Sequence, residues 1–122
     1  MNSEYIITRD EIILVNKKYG GSLRNDAEIE TSLYLGKGKN IFRKIAYIWR
    51  AILVGHPFTN GNKRTAFEAT KIFLLANKIE LQVSEIEAEE FMVKMAQPEK
   101  LSIKEVEIWI KEHSGKHGKE KV

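Results

Sequence analysis

At 122 residues the chain has room for one hydrophobic core, and its 43% hydrophobic and 30% charged residues are those of an ordinary globular domain. It contains no cysteine, which excludes disulfides and thiolate metal sites, and no apolar run approaches the roughly 18 residues that span a bilayer. The net charge of +3 is mild, and much of it sits in Lys111, Lys116, Lys119 and Lys121 near the C-terminus.

The pattern is helical nearly throughout. Thr8 and Glu11 have the spacing of a capping box, and Ile12, Val15 and Tyr19 then share one face up to a stop at Gly20-Gly21. Asn25-Asp26 can cap a short helix through Ser32, and Leu35 to Asn40, with Gly36 and Gly38, reads as a loop. Asn40 opens a helix to Val54 that is apolar on more than one side, as a helix in the middle of a bundle would be. Gly55 is placed to close it in a left-handed conformation.

A second apolar helix runs to about Ala76, with Ala66, Ala69, Phe73 and Ala76 on its inner stripe. Ile79 to Val83 alternates and allows a brief extended piece. Ser84 with Glu87, and Ser102 with Glu105, open two more helices separated by Pro98. The expected fold is a compact all-α bundle, one domain over 1–122 with its core at about 8–113. The basic remainder, 114–122, reads as a frayed tail. His113 and His117 share a helical spacing, but in such a tail they make a poor metal pair.

Between the two most apolar helices stands His56-Pro57-Phe58-Thr59-Asn60-Gly61-Asn62-Lys63-Arg64-Thr65-Ala66. His56 offers an imidazole that can take a proton from a hydroxyl. Pro57 stiffens the backbone and Phe58 is the apolar anchor of the loop. Gly61 lets a ligand approach the main chain, and Asn62 can cap the following helix. That helix N-terminus carries free N–H groups and a positive dipole end. Lys63 and Arg64 there oppose the dipole at roughly 0.3–1 kcal/mol each, an arrangement that makes sense if an anion binds. The other reading is a polar turn and helix cap that happens to carry basic residues. A Walker A loop is excluded, because Asn62 separates glycine from lysine and Arg64 separates lysine from threonine.

His56, Phe58, Gly61, Asn62 and Arg64 are spaced as in the Fic-family pattern His-x-Phe-x-acid-Gly-Asn-Gly-Arg-x-x-Arg, which this string closely resembles. Lys63, followed by Arg64-Thr65-Ala66, is similar to the Doc (death-on-curing) branch. So are Tyr19-Gly20-Gly21, Arg24-Asn25-Asp26 and Glu30-Thr31-Ser32-Leu33, and the resemblance extends over most of 8–113. It implies a small helical bundle that modifies a hydroxyl on a target protein. Most Fic proteins transfer AMP from ATP; Doc-like toxins transfer the γ-phosphate and silence a translation elongation factor. By the resemblance His56 is the base, and Gly61, Asn62, Lys63 and Arg64 hold the phosphates.

The chain departs from the pattern in three places. Asn60 replaces the acid that holds Mg²⁺, leaving a weak metal candidate and allowing a catalytically weakened nucleotide-binding or partner-binding module. Phe67 replaces the second arginine, which favours γ-phosphate over AMP transfer. The self-inhibitory Ser/Thr-x-x-x-Glu pattern is not found, since Ala88 follows Ser84 and Val106 follows Ser102 at that spacing. The implied brake is a separate antitoxin. Leu35 to Asn40 is the place for a loop that aligns the target. Nucleic acid, resting on the tail and Lys17-Lys18, is the weakest candidate partner, and a membrane is not expected. With neither a basic leader nor an apolar stretch at Met1–Tyr5, the expected compartment is the cytoplasm.

Overall fold

A computed structural model describes residues 4–97, 99 and 101–116. Six helices account for most of it: α1 Arg9–Lys17, α2 Ala27–Leu35, α3 Ile41–Leu53, α4 Asn62–Ala76, α5 Glu85–Met95 and α6 Ile103–Glu112. Two short strands, β1 Ile79–Leu81 and β2 Ser114–Lys116, pair antiparallel with Glu80 opposite Gly115. The all-α bundle expected from the sequence is the fold observed. No helix is long and apolar enough to cross a membrane among the described residues.

Helix α3 lies in the middle and packs against α2, α4 and α6. It buries Ile45, Ala46, Ile48, Trp49, Ala51, Ile52 and Leu53, which occupy every side but one of its length. Trp49 would bury an indole N–H without a partner, and its Nε1 donates instead to Thr70 Oγ1 of α4 at 2.6 Å. Phe91 and Trp109 flank the same indole, so α5 and α6 close over α3 through aromatic contacts. On α4, Ala66, Ala69 and Phe73 form the inner stripe, but Ala76 is exposed where the helix runs past the core.

The helix starts follow the local signals. Thr8 and Glu11 form the reciprocal capping box, and Asn40, Ser84 and Ser102 each accept from the backbone N–H three residues on. Asp26 stands at the N-cap of α2 without a side-chain bond; Asn25 Oδ1 accepts from Ala27 N–H instead. Helix α2 also runs beyond Ser32 to Leu35.

Three expectations need correction. Gly55 does not take the left-handed conformation; His56 does, at φ +48°. Asn62 begins α4 rather than capping it, and Gly61, at φ +74°, is the N-cap. The tail does not fray from residue 114, because Ser114–Lys116 add a strand to β1. Residues 117–122, with His117, Lys119 and Lys121, and Pro98 between α5 and α6 lie outside the described residues. His113 ends α6 with its Nδ1 2.7 Å from the Trp109 carbonyl.

Candidate active site

The loop from His56 to Gly61 joins the two central helices, and its backbone is tied on both sides. Arg24 N–H donates to the Pro57 carbonyl at 2.7 Å, and Thr59 N–H donates to the Ser22 carbonyl at 2.9 Å, so the loop pairs with 22–24 like a strand. Phe58 is 1% exposed and pins the loop to the core. The Asn62 amide spans the Phe58 peptide groups: Oδ1 accepts from Phe58 N–H at 3.2 Å and Nδ2 donates to Phe58 C=O at 3.0 Å. Its amide is therefore committed to shaping the loop, which leaves the backbone and the cations around it to face the cleft.

A residue that the sequence reading passed over completes the frame. Asn16 of α1 is 1% exposed, and its Nδ2 donates to the Asn60 carbonyl at 2.8 Å and to Thr65 Oγ1 at 3.0 Å. The signal was present, since Asn16 falls on the inner face of α1 one turn after Ile12, where an apolar residue belongs. Gly21 makes room for this contact: a Cβ there would stand 2.4 Å from both Asn16 Oδ1 and the Asn60 carbonyl. At Gly61 a Cβ would meet Tyr19 Cβ at 2.8 Å, and the positive φ also asks for glycine.

Two depressions flank this turn. One, of about 330 Å³, is lined by Tyr19, Asn60–Arg64 and Phe67, with Glu85, Glu89 and Met92 of α5 across from them. The other, of about 350 Å³, is lined by Leu53, His56, Thr59, Asn60–Lys63, Val93 and Ala96. Asn60, Gly61, Asn62 and Lys63 belong to both, so Arg64 and His56 flank one shared ridge and Lys63 reaches both sides of it. Lys63 and Arg64 are exposed at the first turn of α4. Arg64 lies 5.8 Å from the Tyr19 ring and 4.0 Å from Glu85, an exposed and long pairing that leaves the guanidinium open to an anion.

His56 is exposed, with Nδ1 3.1 Å from the Val54 carbonyl. A carbonyl only accepts, so Nδ1 is the donor in this contact, which leaves Nε2 as the ring nitrogen not used by it. Asn60 Oδ1 accepts from Gly61 N–H at 3.0 Å, and no group of three His, Cys, Asp or Glu could hold a metal among the described residues. A neutral amide already engaged does not fit the charged donor that Mg²⁺ asks of a protein.

Beside the cations, Tyr19 O–H donates to Glu68, which also receives Lys18. The bond to Glu68, aided by burial, pushes the Tyr19 phenol up from 10.0 to about 12. Burial acts to raise the Glu68 carboxyl, but the hydrogen bonds from Lys18 and Tyr19 outweigh it and hold the group below its ordinary value. The phenol therefore stabilises the fold fully below its unfolded value near 10.0, and that contribution is lost as pH rises towards 12. The carboxylate contributes above its unfolded value of 4.5 and loses this as pH falls through its lower folded value. Urea midpoints measured across pH should fall at both ends; Tyr19→Phe should remove the alkaline fall, and Glu68→Gln should flatten both.

A helical bundle with a glycine turn carrying two exposed cations and an exposed imidazole between its central helices has the form of a protein-modifying transferase of the Fic type. The family model described as Fic/DOC matches residues 6–74, more than half of the chain, and the protein belongs to the Fic/DOC family. The match runs from just before α1 into α4 and takes in the whole loop; 75–113, which the resemblance was expected to reach, lie beyond it. No curated protein matches the chain.

Proposed function

We propose that the protein is a Doc-like kinase that transfers the γ-phosphate of ATP to a hydroxyl on a target protein, a translation factor being the candidate target. The observation that carries this reading is the shared ridge: Asn60–Lys63 line both the cation side and the His56 side of the cleft. A phosphate held over the start of α4 by Lys63, Arg64 and the backbone at Gly61 thus lies beside the imidazole. The acceptor O–H gives its proton to His56 Nε2 while its oxygen bonds to the γ-phosphorus. The bond from that phosphorus to the bridging oxygen breaks, and ADP leaves. Positioning and charge supply most of the rate in such a transfer.

Phe67 favours this reading over AMP transfer. It is 8% exposed and forms an apolar wall of the cation-lined depression, where the Fic pattern carries a second arginine. Asn60 favours a third reading, a weakened module that binds nucleotide or partner without turnover. The readings separate in one assay with ATP labelled at the α- or γ-phosphate, candidate translation factors, and His56→Ala as control. Label from the γ-phosphate that needs His56 supports the kinase, label from the α-phosphate the AMP-transferase, and none from either the binding module. Asn60→Asp should raise metal-dependent turnover severalfold; an unchanged rate would show that the missing charge is not what limits it. In this reading the brake is a separate antitoxin, testable as relief of growth arrest by a protein encoded beside it.

A further inference from the structure

Helix α5 has two faces. Ala88, Met92 and Met95 are buried and hold it to the core, while Ile86, Glu89, Glu90 and Val93 recur on the outer face. Ile86 is 73% exposed and Val93 52%, an expensive display for two branched apolar side chains on one short helix. The outer four line a surface depression of their own, of about 340 Å³. It is continuous with the cleft at both points: Glu89 also lines the cation-side depression, and Val93 also lines the His56 side. The segment from Leu35 to Asn40, the expected place for target alignment, lines none of these depressions. Gly36, Lys37 and Gly38 border an apolar cavity with Ile7, Ile48 and Phe73, away from His56.

We infer that the outer face of α5 docks the segment of the target protein that carries the acceptor hydroxyl, and that this segment is basic and apolar. The inference rests on the transferase reading above. Two apolar side chains with two carboxylates between them complement a leucine-like side chain beside an arginine or lysine. The span from Ile86 to Val93 is about 10 Å of helix. An extended segment covers it in roughly three residues; Val93 also lines the His56 side, so the basic and apolar residues fall within about three positions of the serine or threonine that reaches His56.

The test uses the whole protein and short synthetic peptides with a single threonine. One carries arginine and leucine at adjacent positions within three residues of the threonine; matched peptides carry glutamate for the arginine or glutamine for the leucine. Binding is read by fluorescence anisotropy with a non-hydrolysable ATP analogue present, so it does not depend on turnover. The first peptide should bind at least tenfold more tightly than either control. Ile86→Ser and Glu90→Lys, both at exposed positions outside the cleft, should abolish that preference and leave binding of the nucleotide analogue unchanged. Three peptides that bind alike or too weakly to measure, or variants that keep the preference, would overturn the docking face. So would loss of a self-associated form, rather than of peptide binding, in Ile86→Ser. Peptide preference without nucleotide binding would instead sink the transferase reading and leave the docking face standing.

Discussion

His56→Ala should lower transfer by about 10²–10⁴-fold, the usual contribution of a positioned general base, while leaving the fold intact. The side chain is exposed and its one hydrogen bond, to the Val54 carbonyl, is local, so no packing is lost. Stability should separate this residue from an ordinary turn position. His56 sits at φ +48°, a conformation that costs a side chain with a Cβ about 1–2 kcal/mol. His56→Gly should therefore be more stable than His56→Ala by about 1 kcal/mol in urea unfolding, and equally inactive. On the proposed mechanism, the demand on the imidazole accounts for a histidine where glycine would fold better. If His56→Ala transferred as fast as the parent protein, the base would have to be sought elsewhere in the cleft.

That strain also shows where sequence reading reaches and where it stops. The helices were legible because the apolar residues of 41–53 and the caps Thr8, Asn40, Ser84 and Ser102 are local signals. The basic turn was legible for the same reason: Gly61, Lys63 and Arg64 are close in sequence, and the helix they open begins where the apolar period begins. What remained hidden depends on partners distant in sequence. Gly55 was a reasonable left-handed residue, but its neighbourhood is crowded. A Cβ there would meet the Ala51 carbonyl at 2.4 Å and the side chain of Glu28, so its use is close packing against α2, and the reversal of direction passes to His56. The strand at Ser114–Lys116 carries no strong propensity and exists because β1 offers it an edge. The two roles of α5, as one wall of the cleft and as an outer apolar face, arise only when it folds back over α4.

The largest effect on the frame of the site is expected at Asn16. Asn16→Leu keeps the approximate volume and removes the donor, leaving Thr65 Oγ1 facing an apolar side chain in a buried place and the part-buried Asn60 carbonyl without its partner. Each unpartnered group costs about 1–3 kcal/mol, so unfolding at neutral pH should show a loss of about 2–4 kcal/mol. Transfer should fall further than stability explains, because Asn16 is what fixes the Asn60 carbonyl against α1, and a shift of about 1 Å in a positioned group can cost 10²-fold. Asn16→Asp should be worse at neutral pH, since it buries a carboxylate against a carbonyl oxygen, two acceptors without a proton between them. Protonation restores a donor there. The introduced carboxyl then has a folded pKa above its unfolded one, so its stability is recovered as pH falls and lost again as pH rises. Unfolding midpoints for the two variants at pH 4 and pH 7 would decide the matter. Recovery at the lower pH in Asn16→Asp but not in Asn16→Leu identifies the hydrogen bond itself as the tie between α1 and the loop; the same midpoint for both variants and the parent at either pH would show that the loop is held by Phe58 and the pairing with 22–24 alone.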